Sequence, residues 1–206
     1  AFETPTTTEF ANPSGGGFNQ AVKPQKSTNY EIGVKTLSNK YSFEASIFKI
    51  NVEDELTPFE DSEQPGRTFY TNAGSSDRYG LELTNIRRFY DQFEFSTTYT
   101  YSDFKFNHFK DTSDVIYDGK RIPGIPKNLL NFNLSWSNDS GSYANLDTTF
   151  TDEFYADNGN QNKVNSYTVS NLRLGKNFIR NDLDIGFYLG VNNIFNEKYN
   201  SNIRIN

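Results

Sequence analysis

LDIGFYLGVNNIFNEKY, residues 183–199, is the stretch of this 206-residue chain that settles its structural class. Leu183, Ile185, Phe187, Leu189 and Val191 alternate with Asp184, Gly186, Tyr188, Gly190 and Asn192. Successive side chains leave a strand on opposite sides, so a period of two predicts a β-strand with one apolar and one polar face. A helix would instead repeat its apolar residues every three or four positions.

The same period recurs upstream. Residues 28–37 alternate Tyr30, Ile32 and Val34 with Glu31, Gly33 and Lys35, and from Tyr41 onward Phe43, Ala45 and Ile47 oppose Ser42, Glu44 and Ser46. At Phe48 the apolar phase slips to Ile50 and Val52, which predicts a bulge or the end of the apolar surroundings. An acidic loop then fills residues 53–67, followed by one long strand over residues 68–88 with Leu81 and Leu83 opposite Glu82 and Thr84. The fourth strand sets Phe93, Phe95, Thr97, Tyr99 and Tyr101 against Glu94, Ser96, Thr98, Thr100 and Ser102. Residues 104–127 form the longest connection. Beyond it, Leu130, Phe132, Leu134 and Trp136 make a fifth strand, the run NDSG (138–141) a turn, and Ala144, Leu146, Thr148 and Phe150 a sixth. The polar run DEFYADNGNQNK separates this from a seventh strand over residues 166–176, and the opening stretch is the eighth.

Connections after the first, third, fifth and seventh strands are a few residues long, whereas those after the second, fourth and sixth are far longer. Outer-membrane barrels sort their turns in this way, short on one rim and long on the other. Both ends of the strand series lie on the long-loop side, so the pattern predicts a piece of a larger barrel, not a small closed one.

Composition agrees. Hydrophobic residues make up only 34%, yet aromatics reach 16% with 19 Phe and 13 Tyr, an excess that argues for ordered β structure over disorder. No apolar run is long enough for a transmembrane helix, which leaves a membrane barrel open because its strands alternate. Without Cys and with a single His, disulfides, thiolate metal sites and multi-histidine zinc sites are excluded. A net charge of −6 argues against a nucleic-acid surface. Residues 1–10 show no signal-peptide pattern, as in an internal piece of a longer chain or a protein that is not exported.

Four separated strings resemble TonB-dependent outer-membrane receptors, in the order that family has them: FETPTTTEF with GFNQAVKPQKSTNYEIG, then FYTNAGSSDRYGLEL, then GKRIPGIPKN, and finally VNNIFNEKY. The resemblance spans nearly the whole chain. It implies an all-β fold, an antiparallel up-and-down transmembrane β-barrel fragment of about eight strands out of roughly 22, not closed alone. Residues 1–27 would be an outer loop, 28–195 the eight meander strands and 196–206 the start of the last outer loop, with the plug domain and the final strand absent. It further implies a transporter and not an enzyme, with no cofactor. The function would be import of a ferric siderophore or similar iron chelate across the bacterial outer membrane, driven by TonB through the missing N-terminal region, with outer-membrane lipid around the wall. A passive porin-like or adhesin barrel, TonB-dependent uptake of a non-iron substrate, and a soluble all-β binding module or glycan-active enzyme are the competing readings.

Glu31, Glu44, Glu82, Glu94, Asp147, Arg173 and Asp184 fall on polar strand faces, where a substrate path or plain wall hydration accounts for them. Phe93, Tyr99, Tyr101, Trp136 and Tyr143 are expected on apolar faces near strand ends, as an interfacial aromatic belt. Specificity is expected on the long loops. Arg67, Tyr70, Arg121 and Tyr155 are the ligand-binding candidates, since Arg and Tyr suit anionic catechol-like or citrate-like chelates. The run DNGN (157–160) offers oxygen ligands but lacks a full calcium loop, so a plain turn is the simpler reading. His108 reads as a solvated loop residue, and the three glycines at 15–17 follow no strand and form no phosphate loop.

Overall fold

The computed structural model describes residues 1–61, 63–72, 74–111, 114–180, 183–200 and 203. Among them are thirteen strands and no helix: β1 (Phe2–Glu3), β2 (Gln25–Leu37), β3 (Tyr41–Glu53), β4 (Leu56–Glu60), β5 (Thr68–Asn72), β6 (Gly74–Phe89), β7 (Phe93–Phe109), β8 (Asn128–Ser137), β9 (Ser142–Thr151), β10 (Phe154–Tyr155), β11 (Lys163–Val164), β12 (Tyr167–Arg180) and β13 (Leu183–Val191). Nine form one sheet in the order β1-β2-β3-β6-β7-β8-β9-β12-β13, and β4-β5 and β10-β11 are separate two-stranded ribbons. Every pairing is antiparallel. The sheet is an open wall, since β13 pairs only with β12 and the β1–β2 end does not meet it.

The register sorts the side chains. Ile32, Ile47, Leu81 and Tyr101 lie across from one another in turn, as do Val34, Ala45, Leu83, Tyr99, Leu130 and Phe150. Leu146, Leu172 and Val191 extend this apolar face to the far edge. The other face carries Glu44 against Thr84, Asn133 against Asp147, and Arg173 against Gly190. One layer has no interior, so the apolar residues stay uncovered: Ile32 is 70% exposed, Phe187 63% and Leu189 70%. Leaving such a side chain in water forgoes about 1.5–3 kcal/mol each, which demands an apolar environment outside the sheet.

Several expectations are corrected by the register. No bulge lies at Phe48: the β2–β3 and β3–β6 ladders run through it without a shift. Phe48 sits on the polar face because Gly80 opposite leaves room for its ring, where a Cβ would fall 2.1 Å from Phe48 Cζ, and because Phe104 meets it edge-on at 6.2 Å. The irregularity is instead between Ser75 and Ser76, facing Asn107. It lets Phe106 and Phe109 share one face, with ring centroids 4.4 Å apart, and β7 accordingly extends to Phe109, well into the expected loop. The single strand over residues 68–88 is two strands, with β5 peeling away to pair with β4 inside the supposed acidic loop. The polar run from residue 152 likewise holds the β10–β11 ribbon, which reaches Val164. Tyr143 lies on the polar face, not the apolar one, since it pairs with Gly175 and covers it with its ring. Phe93, Tyr99, Tyr101 and Trp136 share the apolar face. The short turn before β13 reaches residues 181 and 182, which lie outside the described residues.

Beyond Val191 the tail folds onto the end of β12. Asn193 and Asn196 have φ of +53° and +55°, a region asparagine tolerates better than most residues. The Asn193 amide donates to the Glu197 carbonyl and its oxygen accepts the Glu197 N–H, both at 2.8 Å, while the Asn193 N–H reaches Asn171 Oδ1 at 2.9 Å. Tyr199 stacks on Tyr167 at 4.8 Å. The NNIFNEKY run is therefore a turn-and-cap, with Asn193 as its cap and Asn196 at a second left-handed position. Asn193→Ala should release it at a local cost of about 1–2 kcal/mol. Hydrogen exchange at the Ile194 and Glu197 amides reads this, and unchanged protection would contradict it.

Candidate ligand-binding rim

The long connections all leave the sheet on one rim, and they dock in two pairs. The first joins residues 1–24 to the β4–β5 ribbon. Lys23 N–H donates to Asn72 Oδ1 at 2.7 Å, Asn72 Nδ2 donates to the Lys23 and Asp54 carbonyls at 2.9 and 2.7 Å, and Gln64 donates to the Pro13 carbonyl. Phe69 is fully buried in this unit, with Phe59 6.0 Å away and Val22 also buried. The second pair joins residues 110–127 to residues 152–166. Arg121 N–H donates to Asn160 Oδ1 and Asn160 Nδ2 returns to the Arg121 carbonyl, each at 2.8 Å, while Gly124 N–H donates to the Tyr155 carbonyl. Residues 116–122 run back along β7, so that Tyr117 stacks on Phe109 at 5.3 Å over the Phe106 ring.

The four candidates divide between these units. Arg67 lies over the Phe69 ring at 5.1 Å and donates to Gln64 Oε1 at 2.6 Å, and Tyr70, half-buried, stands opposite Pro58. Arg121 lies 5.7 Å from the Tyr155 ring. Arg121 also bridges Lys105, which places it on the flank of the rim continuous with the apolar face. Thus Arg121 and Tyr155 meet, Arg67 and Tyr70 share a ribbon, and the two pairs belong to different loop units. Neither Arg67 nor Arg121 is ion-paired with a carboxylate among the described residues, so each keeps guanidinium N–H groups available beside its aromatic ring, as a pre-set anion donor would.

The groups that hold these loops carry little local signal. Arg78, on the polar face of β6, pairs with Glu55, donates to Ser76 Oγ at 3.2 Å and sits 5.9 Å from the Phe104 ring. Lys163 pairs with Glu153 across the other unit, and that partner raises its pKa. Asp157 closes the 157–162 turn by accepting the Gln161 and Asn162 N–H groups. Burial alone would raise its pKa, but these backbone donors outweigh it and hold the carboxyl below its ordinary value. The Asp157 carboxylate is thus spent on the turn itself, and Asn160 Oδ1 on the Arg121 N–H. His108 faces Asp118 at 3.4 Å on the exposed side, and Asp118 is held low chiefly by the Phe109 N–H.

On the polar face below, Ser96, Thr98, Asn131, Asn133, Asp147 and Thr149 line a shallow cleft of about 120 Å³. Its amides and hydroxyls bond to one another, with Thr149 Oγ1 to Asn131 Oδ1 at 2.8 Å and Asn133 Nδ2 to Asp147 Oδ1 at 2.6 Å. Glu44 pairs with Lys35 at 2.7 Å, Glu94 with Arg88 at 2.6 Å, and Arg173 lies 5.3 Å from the Tyr188 ring. These charges are mostly matched within the wall.

An up-and-down antiparallel wall, apolar on one face and polar on the other, with turns short on one rim and long, mutually docked loops on the other, is the wall of a large β-barrel receptor. Residues 1–194 match the family described as TonB dependent receptor-like, beta-barrel, and the chain belongs to that family. It is 26% identical over 193 residues to the probable TonB-dependent siderophore receptor PiuA of Acinetobacter baumannii, covering 88% of this chain and 24% of that protein. The crystal structure of PiuA superposes with a TM-score of 0.76 at 22% identity, over 97% of this chain and 28% of the other. The copper transporter OprC gives 0.73 at 19% identity, over 97% and 31%, and the unliganded ferric citrate transporter FecA 0.71 at 20%, over 85% and 27%. The chain thus spans about a quarter of the length of the relatives it matches, and the structural likenesses establish the shared fold.

Proposed function

We propose that the protein containing this chain imports a ferric siderophore or a similar iron chelate across the bacterial outer membrane, energised by TonB, with no covalent chemistry of its own. The observation that carries this reading is the family match over residues 1–194 together with relatives named as siderophore receptors. In this reading residues 28–195 are wall, residues 1–27 and 196–206 belong to outer loops, and the plug and final strand come from the rest of the protein. The apolar face meets lipid and the polar face the lumen. Arg67, Tyr70, Arg121 and Tyr155 contact the chelate from the rim, the arginines through charge-assisted donors and the tyrosines through their rings.

The test is growth under iron limitation of a strain lacking the gene, complemented with the full-length protein or with the R67A/Y70A/R121A/Y155A variant, alongside binding of ferric citrate and ferric catecholate probes. Wild type should restore growth, and the variant should bind its chelate at least about tenfold more weakly, as loss of two charge-assisted contacts predicts. Full growth without the gene on every iron source, or restored growth only on a non-iron substrate, would overturn the iron assignment.

A further inference from the structure

Across the apolar face, one row of the register differs in chemistry from its neighbours. Tyr30, Lys49 and Tyr79 stand directly opposite one another on β2, β3 and β6, and Asp103, bonded to Lys105, continues the row on β7. The row on one side is wholly apolar, Ile32, Ile47 and Leu81, and the row on the other is polar, Thr28, Asn51, Asp77 and Lys105. The Tyr–Lys–Tyr row is therefore the boundary at which the apolar band ends on the long-loop side. Lys49 Nζ lies 5.3 Å from the Tyr79 ring centroid, and among the described residues no ion pair involves Lys49. Asp77, which accepts the Asn51 amide, acts on Lys49 at a distance without pairing with it directly, and Asp103 holds Lys105 at 3.0 Å.

The opposite boundary repeats the device. Arg87, on the same face of β6, lies 5.1 Å from the Tyr41 ring. Tyr41 and Lys49 are eight residues apart on β3, about 26 Å of strand at ~3.3 Å per residue, or ~20 Å across the layer for a strand tilted ~40°. That lies a little inside the ~25 Å apolar band of an outer-membrane barrel, so the two rows mark its edges from within. An ammonium flanked by two phenols at such a boundary, without a direct ion pair among the described residues, presents positive charge and hydroxyl groups to whatever lies just outside the slab.

Resting on the lipid-facing reading above, we propose that Tyr30, Lys49 and Tyr79 form a seat for the phosphate of a phosphorylated lipid headgroup in the outward leaflet, with Lys105 one row further out as a secondary contact. The ammonium supplies charge and the phenols donate to phosphate oxygens, while the tyrosine rings lie along the first acyl carbons. Asp103 tempers Lys105, so Lys49 carries most of the attraction.

The experiment uses the full-length receptor in detergent, with native mass spectrometry counting bound lipid. The probes are bisphosphorylated lipid A and its dephosphorylated counterpart, with inorganic phosphate as competitor. Wild type should prefer the phosphorylated lipid, Lys49→Gln should lower that preference about fivefold, and Lys49→Arg should restore most of it, the change expected for one surface cation against anionic lipid (~1 kcal/mol). Lys105→Gln should have a smaller effect. Equal binding of both lipids, or a Lys49→Gln protein indistinguishable from wild type, would sink the seat and leave an ordinary aromatic belt. Displacement by millimolar inorganic phosphate would show a free-anion site instead. Chelate binding by the same variants distinguishes this from the import reading, since Lys49→Gln should leave it unchanged.

Discussion

Gly141→Val in the full-length receptor should destabilise the folded barrel by about 2–4 kcal/mol, the largest effect of any single substitution considered for this wall. The turn between β8 and β9 is held by Asn138, whose Oδ1 accepts from Ser140 N–H, Ser140 Oγ and Ser142 N–H at 3.1, 2.8 and 3.0 Å, while Gly141 N–H donates to the Asn138 carbonyl at 3.0 Å. Closing it needs φ of +83° at residue 141. A left-handed backbone costs a non-glycine residue roughly 1–2 kcal/mol, and more when β-branched. A second cost is specific to this site. A Cβ on Gly141 would fall 2.2 Å from the Asn177 carbonyl oxygen of β12, and backbone cannot step aside as a side chain can. The Gly141 carbonyl also accepts the Asn177 N–H at 2.9 Å, so moving the turn away breaks that link as well, about 1 kcal/mol more. Urea titration in lipid vesicles measures the loss. Ser140→Ala, which removes only a local hydroxyl bond, should stay within about 0.5 kcal/mol. A valine variant as stable as the serine-to-alanine control would refute the turn geometry.

The turn was visible in advance as the run NDSG, but its tie to β12 was not, because Asn177 is 36 positions away and only the register brings it there. The same division holds throughout. Alternation fixes which face a residue takes along its own strand, so Leu183 to Leu189 and the fourth strand were readable directly. Alternation cannot show what stands across the gap. The change of apolar phase at Phe48 is real but involves no bulge: a ring on the polar face makes sense only with Gly80 beneath it and Phe104 beside it, which its own strand cannot show. FKFNHF does not read as a strand in sequence because the extra residue Asn107 breaks the period at the point where the strand continues. Tyr143 could have been placed from its own strand, being in phase with Asn145 and Asp147; its size and its nearness to Trp136 suggested the belt instead. At the rim, residue type pointed to Arg121 and Tyr155, yet their meeting follows from two neighbouring loops bonding through Asn160, which no local pattern announces. The row Tyr30, Lys49 and Tyr79 is of the same kind, three unremarkable positions in three strands until the pairing aligns them.

Arg78→Met should cost the folded protein about 2–3 kcal/mol and should also loosen the ribbon that carries Arg67 and Tyr70. Glu55 stands where β3 gives way to β4, with its side chain only 15% exposed, and Arg78, at 26%, is its ionic partner. Among the described residues Glu55 Oε2 is buried without a hydrogen-bond partner, so the carboxylate depends on Arg78 through its other oxygen. Removing one member of a buried pair leaves a desolvated charge, typically 3–5 kcal/mol, and the residual solvent access here reduces that. The double variant Arg78→Met/Glu55→Gln should recover about half of the loss, because the stranded charge goes with its partner. The local effect follows from connectivity. Glu55 N–H donates to the Gly74 carbonyl and Leu56 N–H to Gln25 Oε1, so Glu55 is the hinge point by which the β4–β5 ribbon is fastened to the wall. With Arg78 gone, amides of residues 56–60 and 68–72 should exchange faster while those of β8 and β9 stay protected, and chelate binding should weaken in Arg78→Met but largely return in the double variant. Additive losses in the double variant, or faster exchange spread evenly over the sheet, would show that Arg78 acts as general wall packing and not as the fastening of the ligand-facing ribbon.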